Sequence, residues 1–447
     1  MKATCMISMA TLLATSVVWA FAPVISETKT VQDEKTGAVM ITYKLSGEVC
    51  VVTADVQTNS VQNKEWVSVG AEKITGMTGD VWKTVNPGSD VKTIVWATTA
   101  DGEQPIMFNR HVRTVLTAWH TNAPPDYLVI DLTKAEPPAY YTCEKLLPVG
   151  GSVTNKVYKD RYLVMRRVHA AGVTWTMGTE KFEKVENGLD SVIGARTHDR
   201  EHTVMLSHDY YIGVYELTVA QNKRIRNAAY EDSRRPYNWI SWSDIRGETL
   251  GARYPVFNDD GTFNYEESHK VDSSSYVQRL RTATGFESLD LPTEAQWEFA
   301  ARGGCRRLLY DGSECTEANL RNLARCATNK DKTEYPDCEG LVASIATVGS
   351  YKPNDYGLYD MLGNVFEAVL DYYEDWNVCN DGGPICSRPT LVDPVGPSLD
   401  PSSGMRLWRG GLYDNGANYA NVSFRGHYYV QSYVSGYCGI RPVITLR

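Results

Sequence analysis

Three groups of residues in this chain could do chemistry: its cysteines, a histidine–glutamate pair, and a run rich in tyrosine and asparagine near the C-terminal end. His198, Glu201 and His202 in HDREH match a zinc-protease pattern, which needs a helix to bring both imidazoles onto one face. The following residues, TVMLSHDYYIGVY, alternate like a strand, so the match is read as chance. Residues 409–426 read RGGLYDNGANYANVSFRG and hold no nucleophile stronger than a hydroxyl. Glycine and asparagine suit tight turns, whereas tyrosine suits both cores and binding surfaces.

The N-terminal stretch has Lys2, a short apolar segment and then small residues ending at Ala20, the grammar of a signal peptide over 1–20. No later segment is long and apolar enough to span a bilayer, so the expectation is a secreted, periplasmic or cell-surface protein. Export makes cysteines candidates for disulfides, and three pairs are close in sequence: Cys305 with Cys315, Cys326 with Cys338, and Cys379 with Cys386. Cys50, Cys143 and Cys438 are left over, and no paired CxxC spacing supports a metal cluster. A net charge of −9 without a basic block argues against a nucleic-acid partner.

At 447 residues the chain calls for two or more domains. Residues 24–135 carry short alternating runs such as ITYKLSG, VKTIVWAT and VRTVLTAW between turn signals, which predicts a small all-β, immunoglobulin-like sandwich. Residues 136–160, with Pro137-Pro138 and Gly150-Gly151, read as a linker. From 161 to 447 strands mix with a few short helices and long loops, an α+β pattern. Thr218 with Gln221 and Thr293 with Gln296 have capping-box spacing, Gly303 is a stop signal, and Tyr276, Val277 and Leu280 share one face of a helix ending at Gly285.

YYIGVYELTVAQ, RPYNWISWSDIRG, LPTEAQWEFAARGG and YGLYDMLGNVFEAVLDYY, followed by Arg409-Gly410-Gly411 and by Gly439-Ile440-Arg441, together resemble the formylglycine-generating enzyme or sulfatase-modifying factor family. The resemblance covers about 162–447 and implies a C-type-lectin-like fold with long loops. Catalytic members of that family convert a substrate cysteine to formylglycine with copper and oxygen, using two cysteines just after the RGG. In this chain those positions are Asn415 and Ala420, and neither can bind Cu(I), so copper is not expected. The family also implies structural calcium. One site would use Asn364 and Glu367, the other Asn322 and Glu339 with the carbonyls of Leu323 and Leu341.

These readings lead to an exported protein whose family domain is non-catalytic and binds an extracellular protein or glycan. The binding residues would come from the C-terminal segment: Tyr413, Asn415, Asn418, Tyr419, Asn421, His427, Tyr428, Tyr429 and Tyr433. Ligand-binding variable proteins of diversity-generating retroelements place their variable residues on this fold in the same segment. The alternatives are a sulfatase-modifying oxidase and a structural extracellular module.

Overall fold

The computed structural model describes residues 22–447 apart from 34, 60–64, 98–111, 180–200, 230–232, 328–344, 374–389, 397–403 and 427–429. The signal segment lies outside the described residues, as do His198, Cys338, Cys379 and Cys386. Among the described residues no helix is long and apolar enough to cross a membrane.

The period-two pattern of the N-terminal part folds as expected, into two sheets packed on one another. In the strand Val39–Ser46, Val39, Ile41, Tyr43 and Leu45 are buried while Met40 and Ser46 face solvent. That strand pairs with Val24–Gln32 and Gly88–Trp96, and Met77–Gly79 completes the sheet. The second sheet centres on Cys50–Thr58, which pairs antiparallel with Val112–His120 along its whole length. The two inner faces meet in one cluster holding Ile41, Tyr43, Val52, Val56, Ile94 and Trp96.

The boundary of this sandwich differs from the sequence expectation. The strand Tyr127–Asp131 pairs with Tyr162–Val168 and so belongs to the following domain. Residues 136–160 are not a bare linker. They contain the strand Ala139–Tyr141 and two short 3-10 turns, and Leu146, Leu147 and Tyr158 are buried in the same cluster as the sandwich core. The paired prolines and glycines mark turns inside a packed segment, and apolar residues between them anchor it.

The C-terminal part is α+β. Its main sheet runs in the order Ala139–Tyr141, Tyr127–Asp131, Tyr162–Val168, Tyr210–Gly213, Val443–Thr445, Leu289–Asp290. The chain's last strand therefore lies between two much earlier ones. Both capping boxes form: Thr218 and Gln221 start the helix Val219–Ile225, and Thr293 and Gln296 start Glu294–Arg302. Gly285 and Gly303 end their helices in the left-handed region, at φ 77° and 56°. A helix at Glu317–Leu323, capped by Thr316, goes beyond what the periodicity signalled.

One expected disulfide is corrected. Cys305 carries a free thiol, with its Sγ 3.4 Å from the Arg307 amide, just past the helix end. Cys315 is buried, and its sulfur faces the Ala417 carbonyl at 3.4 Å. Proximity in sequence places the two on different sides of a turn, one at the rim and one in the core.

Candidate functional site

The helix Glu294–Arg302 is buried along its whole length, charged residues included. A carboxylate removed from water needs partners, and these come from the RGG arginine, from Arg425 beyond it and from the helix's own last residue. Arg409 reaches both Glu294 and Glu298, Arg425 pairs with Glu294 at 2.6 Å, and Arg302 pairs with Glu298 at 2.7 Å. The Arg409 guanidinium also donates to the carbonyls of Val422, Ser423 and Phe424 at 2.8–3.0 Å. One buried cation thus fixes the course of a loop that has no ladder of its own.

The glycines after Arg409 permit close approach. Gly411 has φ 80°, and a Cβ there would lie 2.7 Å from the Ala420 Cα. Ala420 is fully buried against it, and Asn415 closes a turn by accepting from the Leu412 amide at 3.1 Å. Ala420 is thus a packed methyl and Asn415 a turn amide. Cys438 is also fully buried, and burial pushes its thiol well above the ordinary range, so it is not a thiolate at neutral pH.

The nine residues expected to bind a ligand divide into separate groups. Asn421 is corrected: it is fully buried, its Oδ1 accepts from the Ser423 and Phe424 amides, and its Nδ2 donates to the Ala417 carbonyl. It holds the loop and presents nothing outward. Tyr413 and Tyr419 are half-buried against the core, Tyr419 edge-on to Phe424 at 4.9 Å. Asn415 and Asn418 are half-buried, and Tyr433 is exposed. His427, Tyr428 and Tyr429 lie outside the described residues.

The structure adds residues to this surface. Trp239 is 70% exposed, and Tyr437 and Val434 are exposed as well. The Trp239 amide donates to the Ser435 carbonyl at 3.1 Å, and Asn238 Nδ2 donates to the Gly436 carbonyl at 2.5 Å. The indole lies on the Gly436 backbone, so close that a Cβ there would come within 2.8 Å of the ring. Trp239 has a left-handed φ of 59°, unusual for so bulky a residue. The Tyr437 ring lies 6.0 Å from that of Tyr413. In the sequence Trp239 and Trp242 look alike, three residues apart. Only packing separates them, since Trp242 is fully buried and stacks under Arg406 at 3.7 Å.

The expected calcium residues are all engaged within the protein where they are described. Glu367 accepts from Arg441 through both oxygens and from the Trp297 indole at 2.6 Å. Asn364 Oδ1 accepts from the Ala346 amide and its Nδ2 donates to Glu216. Burial, with the nearby charges of Asp360 and Glu367, raises the Glu216 carboxyl well above its usual range, and burial raises Asp360 to about 6. Asn322 is exposed on its helix, and the Leu323 carbonyl accepts from Tyr310 at 3.0 Å. Glu339 and Leu341 lie outside the described residues. Among the described residues no group of three or more His, Cys, Asp or Glu side chains is arranged to hold a metal. His202 begins the strand His202–Leu206 and is buried, so it does not share a helical face with Glu201.

A mixed α+β domain with long loops is the architecture that the motifs imply for sulfatase-modifying factors. The family model of the sulfatase-modifying factor enzyme 1-like domain matches residues 164–446, and the chain belongs to this family. The formylglycine-generating enzyme of Thermomonospora curvata is 35% identical over 157 residues, 34% of this chain and 48% of that protein. The inactive C-alpha-formylglycine-generating enzyme 2 of Bos taurus is 41% identical over 86 residues, 19% of this chain and 27% of that protein. The chain thus spans less than half the length of these curated relatives. Among solved structures, Treponema denticola variable protein 1 is 21% identical, with a TM-score of 0.42, covering 63% of this chain and 95% of that one.

Proposed function

We propose that this is an exported, non-catalytic member of the family that binds an extracellular protein or glycan through the surface around Trp239, Tyr413, Tyr433 and Tyr437. The observation that carries the reading is the exposure of Trp239, at 70%, beside Tyr433 at 52% and Tyr437 at 43%. Aromatic side chains held open by their backbone offer large, rigid contact area at little entropic cost. Asn415 and Ala420 in place of a thiolate pair support the non-catalytic half of the proposal, and the name of the inactive bovine relative is in keeping with it.

The test is a protein and glycan binding screen of the full chain. Trp239→Ala and Tyr437→Ala should each weaken any hit at least tenfold while leaving the melting temperature unchanged; undiminished binding places the site elsewhere. Incubation with copper, oxygen and a cysteine-containing sulfatase peptide should give no aldehyde, and aldehyde formation would favour the oxidase reading instead.

We also propose structural calcium near Glu367. The donors there are hard oxygens, and three buried carboxylates, Glu216, Asp360 and Glu367, gather around one guanidinium, Arg441, with Lys159 acting on Asp360 as well, an excess of negative charge that a divalent cation would relieve. Glu367 would then serve the cation and Arg441 together, whereas Asn364 would have to give up its bond to the Ala346 amide.

A further inference from the structure

The two sheets of the sandwich bury their inner faces against each other, which leaves each with one outer face. The outer face of the Cys50–Thr58 sheet is covered by the family domain. Val51 and Trp119, opposite each other in that sheet, join the core around Leu128 and Tyr211, and Val51 is almost completely buried.

The outer face of the other sheet stays open. Strand pairing sets Val31 opposite Met40 and Met40 opposite Val95, so three apolar side chains stand in a row across three adjacent strands. They are 65%, 52% and 41% exposed. Val91 lies on the same side of its strand as Thr93 and Val95 and is exposed as well.

A solvated sheet face ordinarily carries polar side chains, with the apolar ones turned to the core. The inward positions of these strands follow that rule, since Val39, Ile41, Tyr43, Ile94 and Trp96 are buried. The outward positions do not. Beside the apolar row stand Lys29, Thr42 and Thr93, and beyond them Lys44 pairs with Glu27 at 2.8 Å. The chain as a whole carries a net charge of −9, so two copies repel each other over much of their surface. This face, with Lys29, Lys44 and Glu27, carries no excess of negative charge.

We propose that this face docks a second copy of the same chain, the two sheets packing face to face about a two-fold axis with their rows of Val31, Met40 and Val95 in contact. A two-fold axis sets one patch against itself, and a patch of apolar side chains on a pleated sheet is its own complement, as the inner faces of the sandwich already are to each other. The charges at its margin also suit that symmetry, because Lys29 of one copy is opposite in sign to Glu27 of the other. The contact shares no residue with the surface around Trp239 and does not depend on what that surface binds.

The test is sedimentation velocity of the full chain over about 1–100 µM, where a reversible dimer is expected. Met40→Glu sets like charges against each other across the axis and should weaken the dimer at least tenfold. Val95→Lys, in the same row, should do the same. Both side chains are exposed, so the melting temperature at the lowest concentration should match that of the parent. A chain that remains monomeric throughout overturns the proposal. A dimer that neither substitution weakens also overturns it, as does one that Trp239→Ala dissociates in their place, which would move the contact to the Trp239 surface.

Discussion

The sandwich and the family domain bury very different things. Among the described residues of 24–120 the buried polar side chain is Thr53, which accepts from the Trp119 indole at 2.8 Å, and the rest of the interior is aliphatic and aromatic. The family domain buries Arg246, Arg406, Arg409 and Arg441 almost completely. The difference follows from how each backbone is satisfied. In the sandwich, ladders between strands use up the carbonyls, so side chains need only fill volume. In the family domain long loops leave carbonyls inside the protein without a ladder, and a guanidinium has five donors in a fixed fork. Arg406 donates to the carbonyls of Ala252, Tyr254 and Leu370, and Arg441 to those of Gly213, Val214 and Tyr359. Each also meets a carboxylate or an aromatic face, as Arg406 does between Trp242 and Tyr372.

This contrast is sharpest at Arg409. Arg409→Met leaves three buried carbonyls without their donor and takes one of two arginine partners from each of Glu294 and Glu298, and should cost roughly 3–5 kcal/mol in chemical denaturation. A loss below about 1 kcal/mol would show that the loop does not depend on the cation. If calcium is bound, chelator should lower stability by about 2–4 kcal/mol at saturating metal, seen as a fall in melting temperature with elemental analysis as the check. Unchanged melting and no metal would sink the calcium proposal. In the sandwich, where volume alone matters, Ile41→Val should cost about 1 kcal/mol, and a loss as large as that of Arg409→Met would erase the distinction.

Two smaller effects test the surface of the family domain. Asp272 takes hydrogen bonds from the amides of Glu248, Thr249 and Leu250 and from the Thr249 hydroxyl. Burial would raise its carboxyl, but these bonds outweigh burial and bring it down from 3.8 to about 2. A depressed carboxylate stabilises the fold above its unfolded value, and that contribution is lost as pH falls from about 4 through about 2. Asp272→Asn should therefore flatten part of the acid slope of melting temperature in that window and have less than about 1 kcal/mol of effect, because the group is largely solvated. The smallest change is expected for Trp239→Ala, within about 0.5 kcal/mol in stability. A large loss would mean that Trp239 is structural and weaken its reading as a binding residue.

Much of the domain was legible beforehand because it depends on local rules. The capping boxes at Thr218 and Thr293, the stops at Gly285 and Gly303, and the period-two strand around Ile41 are decided by neighbours within a few residues. The family could be read from motifs in order along the chain. The linker over 136–160 could not be judged correctly, since turn residues look the same whether the apolar residues between them are packed or free.

The sequence by itself determined the family domain and the helix starts at Thr218 and Thr293, because residue identity and local spacing are enough for each. Only the tertiary structure decided that Trp239 faces outward while Trp242 and Asn421 face inward, that Cys305 and Cys315 stand apart, and that Val31, Met40 and Val95 line up on one open face. Those outcomes rest on contacts between residues far apart in the chain, such as Asn238 with Gly436 and Arg409 with Glu298. No periodicity encodes such contacts, because the pairing exists only once the loops are packed.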